Sequence, residues 1–66
     1  MYWVVRKICE DEENGSYTSY GIATDGYVIE DISTDREMVE KLVHLCNTYE
    51  LSKVHLMDVV EDWVAG

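Results

Sequence analysis

Hydrophobic and polar positions divide the chain into two halves with different periods. Up to residue 33 the apolar side chains stand in short runs rich in valine, isoleucine and aromatic residues, which are the residues that favour β-strands. From residue 34 onward the apolar side chains recur every three or four positions, which is the period of an amphipathic helix. The first half therefore predicts a sheet and the second half predicts helices.

The first strand and the loop after it are predicted from the opening sixteen residues. Residues 2–9 have strand composition, with apolar side chains on both faces of the predicted strand. A run of acidic and polar residues follows at 10–16 and ends in residues that suit a turn. We therefore expect a loop between the first strand and the second.

Two further strands are predicted at residues 17–24 and 27–33. They flank Asp25 and Gly26, and such a pair between strand-like runs predicts a two-residue hairpin turn, because both turn residues adopt positive φ. A two-residue turn also predicts the register. On one face it pairs Thr24 with Tyr27, Ile22 with Ile29 and Tyr20 with Asp31, and on the other Ala23 with Val28, Gly21 with Glu30 and Ser19 with Ile32. The pairing does not decide which face of the sheet is buried.

The first helix is predicted to start at Thr34, because Thr34 and Glu37 have the spacing of a capping box. Its apolar arc gathers Met38, Val39, Leu42, Val43, Leu45, Cys46 and Tyr49. The helix is expected to end within residues 47–51, and Ser52 is the predicted N-cap of a second helix. The second apolar arc gathers Leu56, Met57, Val59, Val60, Trp63 and Val64. A short connection between two such helices predicts antiparallel neighbours.

The predicted fold class is α+β, with the order β-β-β-α-α in a single small domain over residues 1–66. Three antiparallel strands form a meander, and a C-terminal helical hairpin packs on one face of it. A chain of 66 residues buries only about 60% of the surface that its unfolded form exposes. Its core must therefore be efficient, or be shared with a partner.

The charge of the chain limits the partners that it can bind. Five Lys and Arg stand against fourteen Asp and Glu, which gives a formal net charge of -9. Nucleic acid and anionic membranes should repel such a chain, since both are recognised chiefly through Lys and Arg. A basic protein, a cation or no partner at all fits this charge better. The commonest role of such a charge is simply to keep a small protein in solution.

The cellular setting is predicted from segments and residues that the sequence lacks. It has no stretch of roughly 18 apolar residues that could span a membrane. It also has no pattern of a secretory signal, and only two cysteines, Cys9 and Cys46, which are expected to be small apolar residues rather than nucleophiles. We therefore expect a cytoplasmic protein with reduced thiols.

The acidic end of the second helix is the first candidate site. His55, Asp58, Glu61 and Asp62 form one ridge on the polar side of this predicted helix. The ridge could receive a basic protein, or His55 with Asp58 or Asp62 could hold a metal ion or small ligand, although surface ion pairing is the commoner role of such residues. No phosphate loop, zinc spacing or nucleophile elbow is present. We therefore expect neither an enzyme nor a cofactor.

Aromatic residues of the sheet are the second candidate site. Trp3, Tyr17, Tyr20 and Tyr27 lie on predicted strands, and two helices can cover only one face of the sheet. Exposed aromatic residues on a small domain indicate an association surface. Trp3, Tyr20 and Tyr27 are therefore predicted, together with the acidic ridge, to bind a protein partner, which could be a second copy of the chain.

Four segments of the chain resemble a family of short Firmicutes proteins that is known only as a domain of unknown function. They are Tyr20-Gly21-Ile22, Asp31-Ile32-Ser33-Thr34-Asp35, Leu42-Val43-x-Leu45-Cys46-Asn47 and Leu51-Ser52-x-Val54-His55-Leu56-x-Asp58-Val59-Val60-Glu61-Asp62. The resemblance implies a bacterial, cytoplasmic protein and carries over no catalytic residue. Two hypotheses follow from the whole sequence: a non-enzymatic interaction module that self-associates through its open sheet face, and a protein that binds a metal or small ligand.

Overall fold

The computed structural model describes residues 1–66 and has the predicted order of elements. The strands are β1 (Trp3–Asp11), β2 (Gly15–Thr24) and β3 (Tyr27–Ser33), and they are followed by α1 (Arg36–Thr48), a 3-10 turn (Lys53–His55) and α2 (Leu56–Ala65). All strand pairs are antiparallel, in the sheet order β1-β2-β3. The predicted α+β class and β-β-β-α-α order are confirmed. No helix has the length and the apolar character needed to cross a membrane.

The pairing of β1 with β2 runs without interruption from Trp3 opposite Ala23 to Asp11 opposite Gly15. The turn between these strands is held by the Asp11 carboxylate, which accepts hydrogen bonds from the Glu13 N–H at 3.0 Å and from the Asn14 Nδ2 at 3.1 Å. These bonds lower the pKa of Asp11. The acidic run is therefore a tight turn rather than a long loop.

The hairpin of β2 and β3 has the predicted register only near its turn. Thr24 pairs with Tyr27, Ala23 with Val28 and Ile22 with Ile29, as predicted. The prediction that both turn residues have positive φ was wrong, because Gly26 has φ 72° and Asp25 is not in the positive region. Further along, Tyr20 pairs with Ser33 and not with Asp31, so the prediction for that end of the hairpin was wrong.

A bulge in β3 causes the change of register. Between the Ile22–Ile29 pair and the Tyr20–Ser33 pair, β2 has one residue and β3 has three. Within the bulge Asp31 adopts φ 57°, in the left-handed region where Asp is tolerated. The residue of β2 opposite the bulge is Gly21, where a Cβ would lie 2.1 Å from the Ile29 carbonyl oxygen. Only glycine lets the two backbones approach so closely.

The first helix begins one residue later than the capping box predicts. Asp35 is the N-cap, and its carboxylate accepts from the Met38 N–H at 3.3 Å. Ser33 fixes this start, because its Oγ accepts from the Asp35 N–H at 3.0 Å. Thr34 therefore precedes the cap, and Glu37 forms an ion pair with Lys41 at 3.9 Å along the helix.

The connection between the helices is closed by backbone hydrogen bonds. Glu50 adopts φ 47°, and the Leu51 N–H donates to the Cys46 carbonyl at 3.0 Å. Such a left-handed residue ends a helix by satisfying its last carbonyls. Ser52 is the N-cap of the following 3-10 turn, and its Oγ accepts from the Val54 N–H at 3.4 Å. Ser52 is thus a cap, but of the 3-10 turn and not of the second helix as predicted, since the N-cap of α2 is His55, which makes no side-chain cap hydrogen bond.

The core lies between the helices and one face of the sheet. Its fully buried cluster contains Tyr2, Ile22, Leu42, Cys46, Leu56 and Val60. Ile29 pairs with Ile22 and packs against this cluster, so the covered face of the sheet is the one that carries these two residues. By alternation along the strands, the opposite face carries Trp3, Val5, Ala23 and Val28. Both helices thus cover one face and leave the other open.

Candidate protein-interaction surfaces

The uncovered side of the sheet, which we name the open face, has an apolar end near the β2–β3 turn. Trp3, Ala23 and Val28 form one row across the three strands, and Val5 follows Trp3 on the same side. Trp3 is 46% exposed and Val28 is 57% exposed, while Ala23 between them is 1% exposed. The small Ala23 side chain on the central strand is covered by Trp3 and Val28, whose side chains remain in contact with solvent. No helix packs on this apolar row.

The middle of the open face is polar. Ser19 is completely buried, and its Oγ lies 2.5 Å from Asp31 Oδ1, to which it donates, and 3.3 Å from the Ser33 carbonyl oxygen. The bulge brings Asp31 to Ser19, so this contact follows from the same shift of register that Gly21 allows. The register predicted from the turn has no bulge, so the contact between Ser19 and Asp31 could not be predicted from the sequence.

The far end of the open face carries Cys9 and Tyr17, which are cross-strand partners. Tyr17 is exposed and Cys9 is half-buried. The Cys9 thiol, through hydrogen bonding and charge, raises the pKa of the Tyr17 hydroxyl, and the carboxylates of Asp31 and Asp11 add to the effect. The Tyr17 hydroxyl is therefore protonated near pH 7.

Two of the predicted aromatic contacts lie on the other face. Tyr20 and Tyr27 have the same alternation as Ile22 and Ile29, which places them on the face that the helices cover. The Tyr20 ring is half-buried, and the Arg36 guanidinium lies 6.0 Å from its centroid. Tyr20 therefore helps to position the start of α1. Of the three predicted aromatic contacts, only Trp3 belongs to the open face.

The acidic ridge is exposed along its whole length. His55 lies in the 3-10 turn, and Asp58, Glu61 and Asp62 lie on α2, all with exposed side chains. None of the four forms an ion pair, since the two ion pairs of the structure lie within α1. No group of three His, Cys, Asp or Glu side chains in the structure could hold a metal ion. Binding of a basic partner by this ridge stays a prediction.

The two cysteines are free thiols in different surroundings. Cys46 is 1% exposed and lies in the core, where burial raises its pKa. The Cys46 side chain therefore packs in the core as a small apolar residue. Cys9 is only half-buried on the open face.

Sequence reasoning missed the residues that join the start of the chain to the end of α1. The Tyr2 N–H donates to Asn47 Oδ1 at 2.7 Å, Asn47 Nδ2 donates to the Tyr2 carbonyl at 3.0 Å, and the Tyr2 hydroxyl donates to the Leu51 carbonyl at 2.6 Å. A shallow cavity of about 320 Å³ lies beside them. Tyr2 and Asn47 in its lining are already hydrogen-bonded to each other, and Tyr2 also to Leu51, which leaves the Glu50 carboxylate as the free polar side chain that could orient a ligand.

These features define a small β-β-β-α-α domain with one open sheet face and an acidic surface. The chain belongs to the family described as "Family of unknown function (DUF6514)", whose model matches residues 1–66. No curated protein and no solved structure matches it.

Proposed function

We propose that this chain is a small, acidic, non-enzymatic protein-interaction module that self-associates through the apolar end of its open face. The observation that carries the proposal is the row of Trp3, Ala23 and Val28. Its two outer side chains are about half exposed on a side of the sheet that no helix covers. A sheet that faces water on one side ordinarily alternates apolar and polar residues, whereas this row is apolar on all three strands.

The surface area of the chain supports this proposal. A folded monomer of this mass is expected to expose about 4,300 Å². The chain exposes 4845 Å², and its radius of gyration is 12.2 Å, where a compact domain of this length has about 10.8 Å. The isolated chain thus leaves more surface in water than its size requires, and covering the open face would reduce the excess.

The distribution of charge favours the apolar row as the contact between two copies. Each copy carries a formal charge of -9, so contacts between carboxylate-rich surfaces would repel. Trp3, Val5, Ala23 and Val28 bring no charge into the contact. The row itself therefore puts no carboxylate at the centre of such a contact.

The setting that we propose for this module is the cytoplasm of a Firmicutes bacterium. The resemblance of its segments to short Firmicutes proteins supports the origin, and the two free thiols support a reduced compartment. A basic protein that recognises His55, Asp58, Glu61 and Asp62 is a further partner within the same proposal.

A matched pair of lysine variants tests the contact. Val28→Lys places a charge in the apolar row, and Val54→Lys places the same charge on the 3-10 turn, where Val54 is 79% exposed. Both changes lower the net negative charge equally, so any difference between them is local. Light scattering after size exclusion should show a smaller average mass for V28K and an unchanged mass for V54K. Equal masses for V28K and the unmodified chain would overturn the proposal.

A further inference from the structure

The outer edge of β1 is an unpaired strand edge that carries the charged residues Arg6, Lys7, Glu10 and Asp11. β1 pairs with β2 on one side only, over all nine of its residues, with neither a proline nor a bulge. The opposite edge of the sheet is different, because the bulge of β3 interrupts it. Exposed edges of this length present free backbone N–H and C=O groups to another strand, and proteins usually block them. The β1 edge is therefore open to pairing.

Three alternate residues of β1 make this edge complementary to itself. Arg6, Ile8 and Glu10 lie on the same face of the strand, with Ile8 in the middle. Ile8 is 65% exposed, and Arg6 and Glu10 are exposed without an ion-pair partner in the chain. An antiparallel copy of the same strand presents these residues in the reverse order.

We infer that β1 pairs with β1 of a second copy, antiparallel, with Ile8 opposite Ile8 on the twofold axis. In this register Arg6 of each copy lies opposite Glu10 of the other, so that two ion pairs flank the isoleucine pair. Directly opposed residues of opposite charge stabilise antiparallel strands, and like charges destabilise them. The result is one continuous six-stranded sheet with an isologous contact.

The positions of the helices leave room for this pairing. α1 is fixed near the start of β1, where Asn47 holds Tyr2 and where Arg36 lies over Tyr20, the cross-strand partner of Arg6. Ile8 lies further along, opposite Thr18, where β1 and β2 extend beyond the pairing with β3. Pairing about Ile8 therefore places the helical layers of the two copies at opposite ends of the joined sheet.

This contact is separate from the open face and leaves that face uncovered. The two contacts can be distinguished in the V28K variant, where contact between open faces is removed. We expect V28K to remain a dimer through its β1 edge. A monomeric V28K would overturn the edge pairing, whereas a V28K identical in mass to the unmodified chain would support the edge and contradict the open-face proposal.

A charge-swap series in the V28K variant tests the register. Arg6→Glu and Glu10→Arg each create two like-charge pairs, so each should weaken the dimer by about tenfold in Kd. These two changes shift the net charge in opposite directions, so a weaker dimer in both variants cannot result from the change in net charge. R6E combined with E10R restores both ion pairs and should return the Kd to within about threefold of the V28K value.

Sedimentation velocity over a dilution series measures the Kd of each variant. Weakening by both single changes, with rescue in the combined variant, is the expected result. Single changes without effect, or a combined variant as weak as either single one, would overturn the inferred register. Circular dichroism of each variant checks that the chain is folded, and Ile8→Lys, which opposes two lysines on the twofold axis, gives an independent second disruption.

Discussion

Asn47 and the backbone of Tyr2 exchange two hydrogen bonds across 45 residues of sequence. The Asn47 side chain accepts from the Tyr2 N–H and donates to the Tyr2 carbonyl, as the backbone of a paired strand residue would. This pair joins the end of α1 to the residue that precedes β1, and so holds the helix over one face of the sheet. The choice of covered face, and therefore the identity of the open face, depends partly on this contact.

Removing the Asn47 amide should destabilise the fold by about 2 kcal/mol, since two hydrogen bonds are lost and the Tyr2 backbone groups are left without partners. Asn47→Asp should also be destabilising, because a carboxylate keeps the acceptor for the Tyr2 N–H but places a second acceptor oxygen against the Tyr2 carbonyl. Thr48→Ala is a matched control at an exposed neighbour and should change stability by less than about 0.5 kcal/mol. Urea unfolding at one fixed protein concentration measures all three. Equal effects of N47A and T48A would contradict this role for Asn47.

Alkaline pH should destabilise the protein through Tyr2 and Cys46. Burial raises the pKa of both groups above their ordinary values of 10.0 and 9.0. The unfolded chain then loses these protons more readily than the folded chain, so the stability is intact below about pH 9 and falls as the pH rises above it.

The contribution of Tyr2 can be separated with Tyr2→Phe. Loss of the hydrogen bond to the Leu51 carbonyl should cost about 1 kcal/mol at pH 7, and the decline of stability above pH 10 should become shallower. Tyr49→Phe is the control, since Tyr49 is 73% exposed. Urea unfolding from pH 7 to pH 11 gives both quantities. If the stability of Y2F and of the unmodified chain fell equally above pH 10, ionisation of Tyr2 would have no part in the alkaline destabilisation.

Gly21→Ala should be the most damaging single methyl addition to the sheet. The added Cβ would meet the Ile29 carbonyl oxygen at 2.1 Å, and both are backbone positions held by strand pairing, so we expect a loss of about 3 kcal/mol. Gly26→Ala meets no atom within 4 Å and should cost only about 1 kcal/mol, from its positive φ. Thermal unfolding compares the two variants. A cost for G21A no larger than for G26A would show that the strands can separate at the bulge.

The start of α1 gives a test of cap assignment. Asp35→Ala removes the side chain that caps the Met38 N–H and should cost about 1 kcal/mol. Thr34→Ala, at the position that the capping box predicts, should change stability by less than about 0.5 kcal/mol. Urea unfolding measures the loss of stability in each variant. A larger loss for T34A than for D35A would show that Thr34, as the capping box predicts, is the N-cap.

The elements and their order could be predicted from the sequence because they depend on local patterns. The helical period after residue 34, the strand composition before it and the Asp25–Gly26 turn are each contained in a few neighbouring residues. The first three pairs of the hairpin were predicted for the same reason, since the turn alone fixes them.

The features that could not be predicted depend on distant contacts. The β3 bulge needs Asp31 to adopt a left-handed conformation and Gly21 to admit the neighbouring backbone, and neither residue signals this alone. The covered face was undecided because both faces of the hairpin carry apolar residues. It depends partly on the contact between Tyr2 and Asn47, which lie far apart in the sequence. Trp3 and Tyr27 could therefore be predicted as exposed aromatic residues, while Tyr20 is half-buried, and Tyr20 and Tyr27 lie on the other face of the sheet from Trp3.

Sedimentation equilibrium of the unmodified chain, at concentrations from low to high micromolar, tests self-association most directly. We expect a mass that rises with concentration above the 7.6 kDa of the monomer, because the open face gains by being covered. A mass of 7.6 kDa at every concentration would contradict the account.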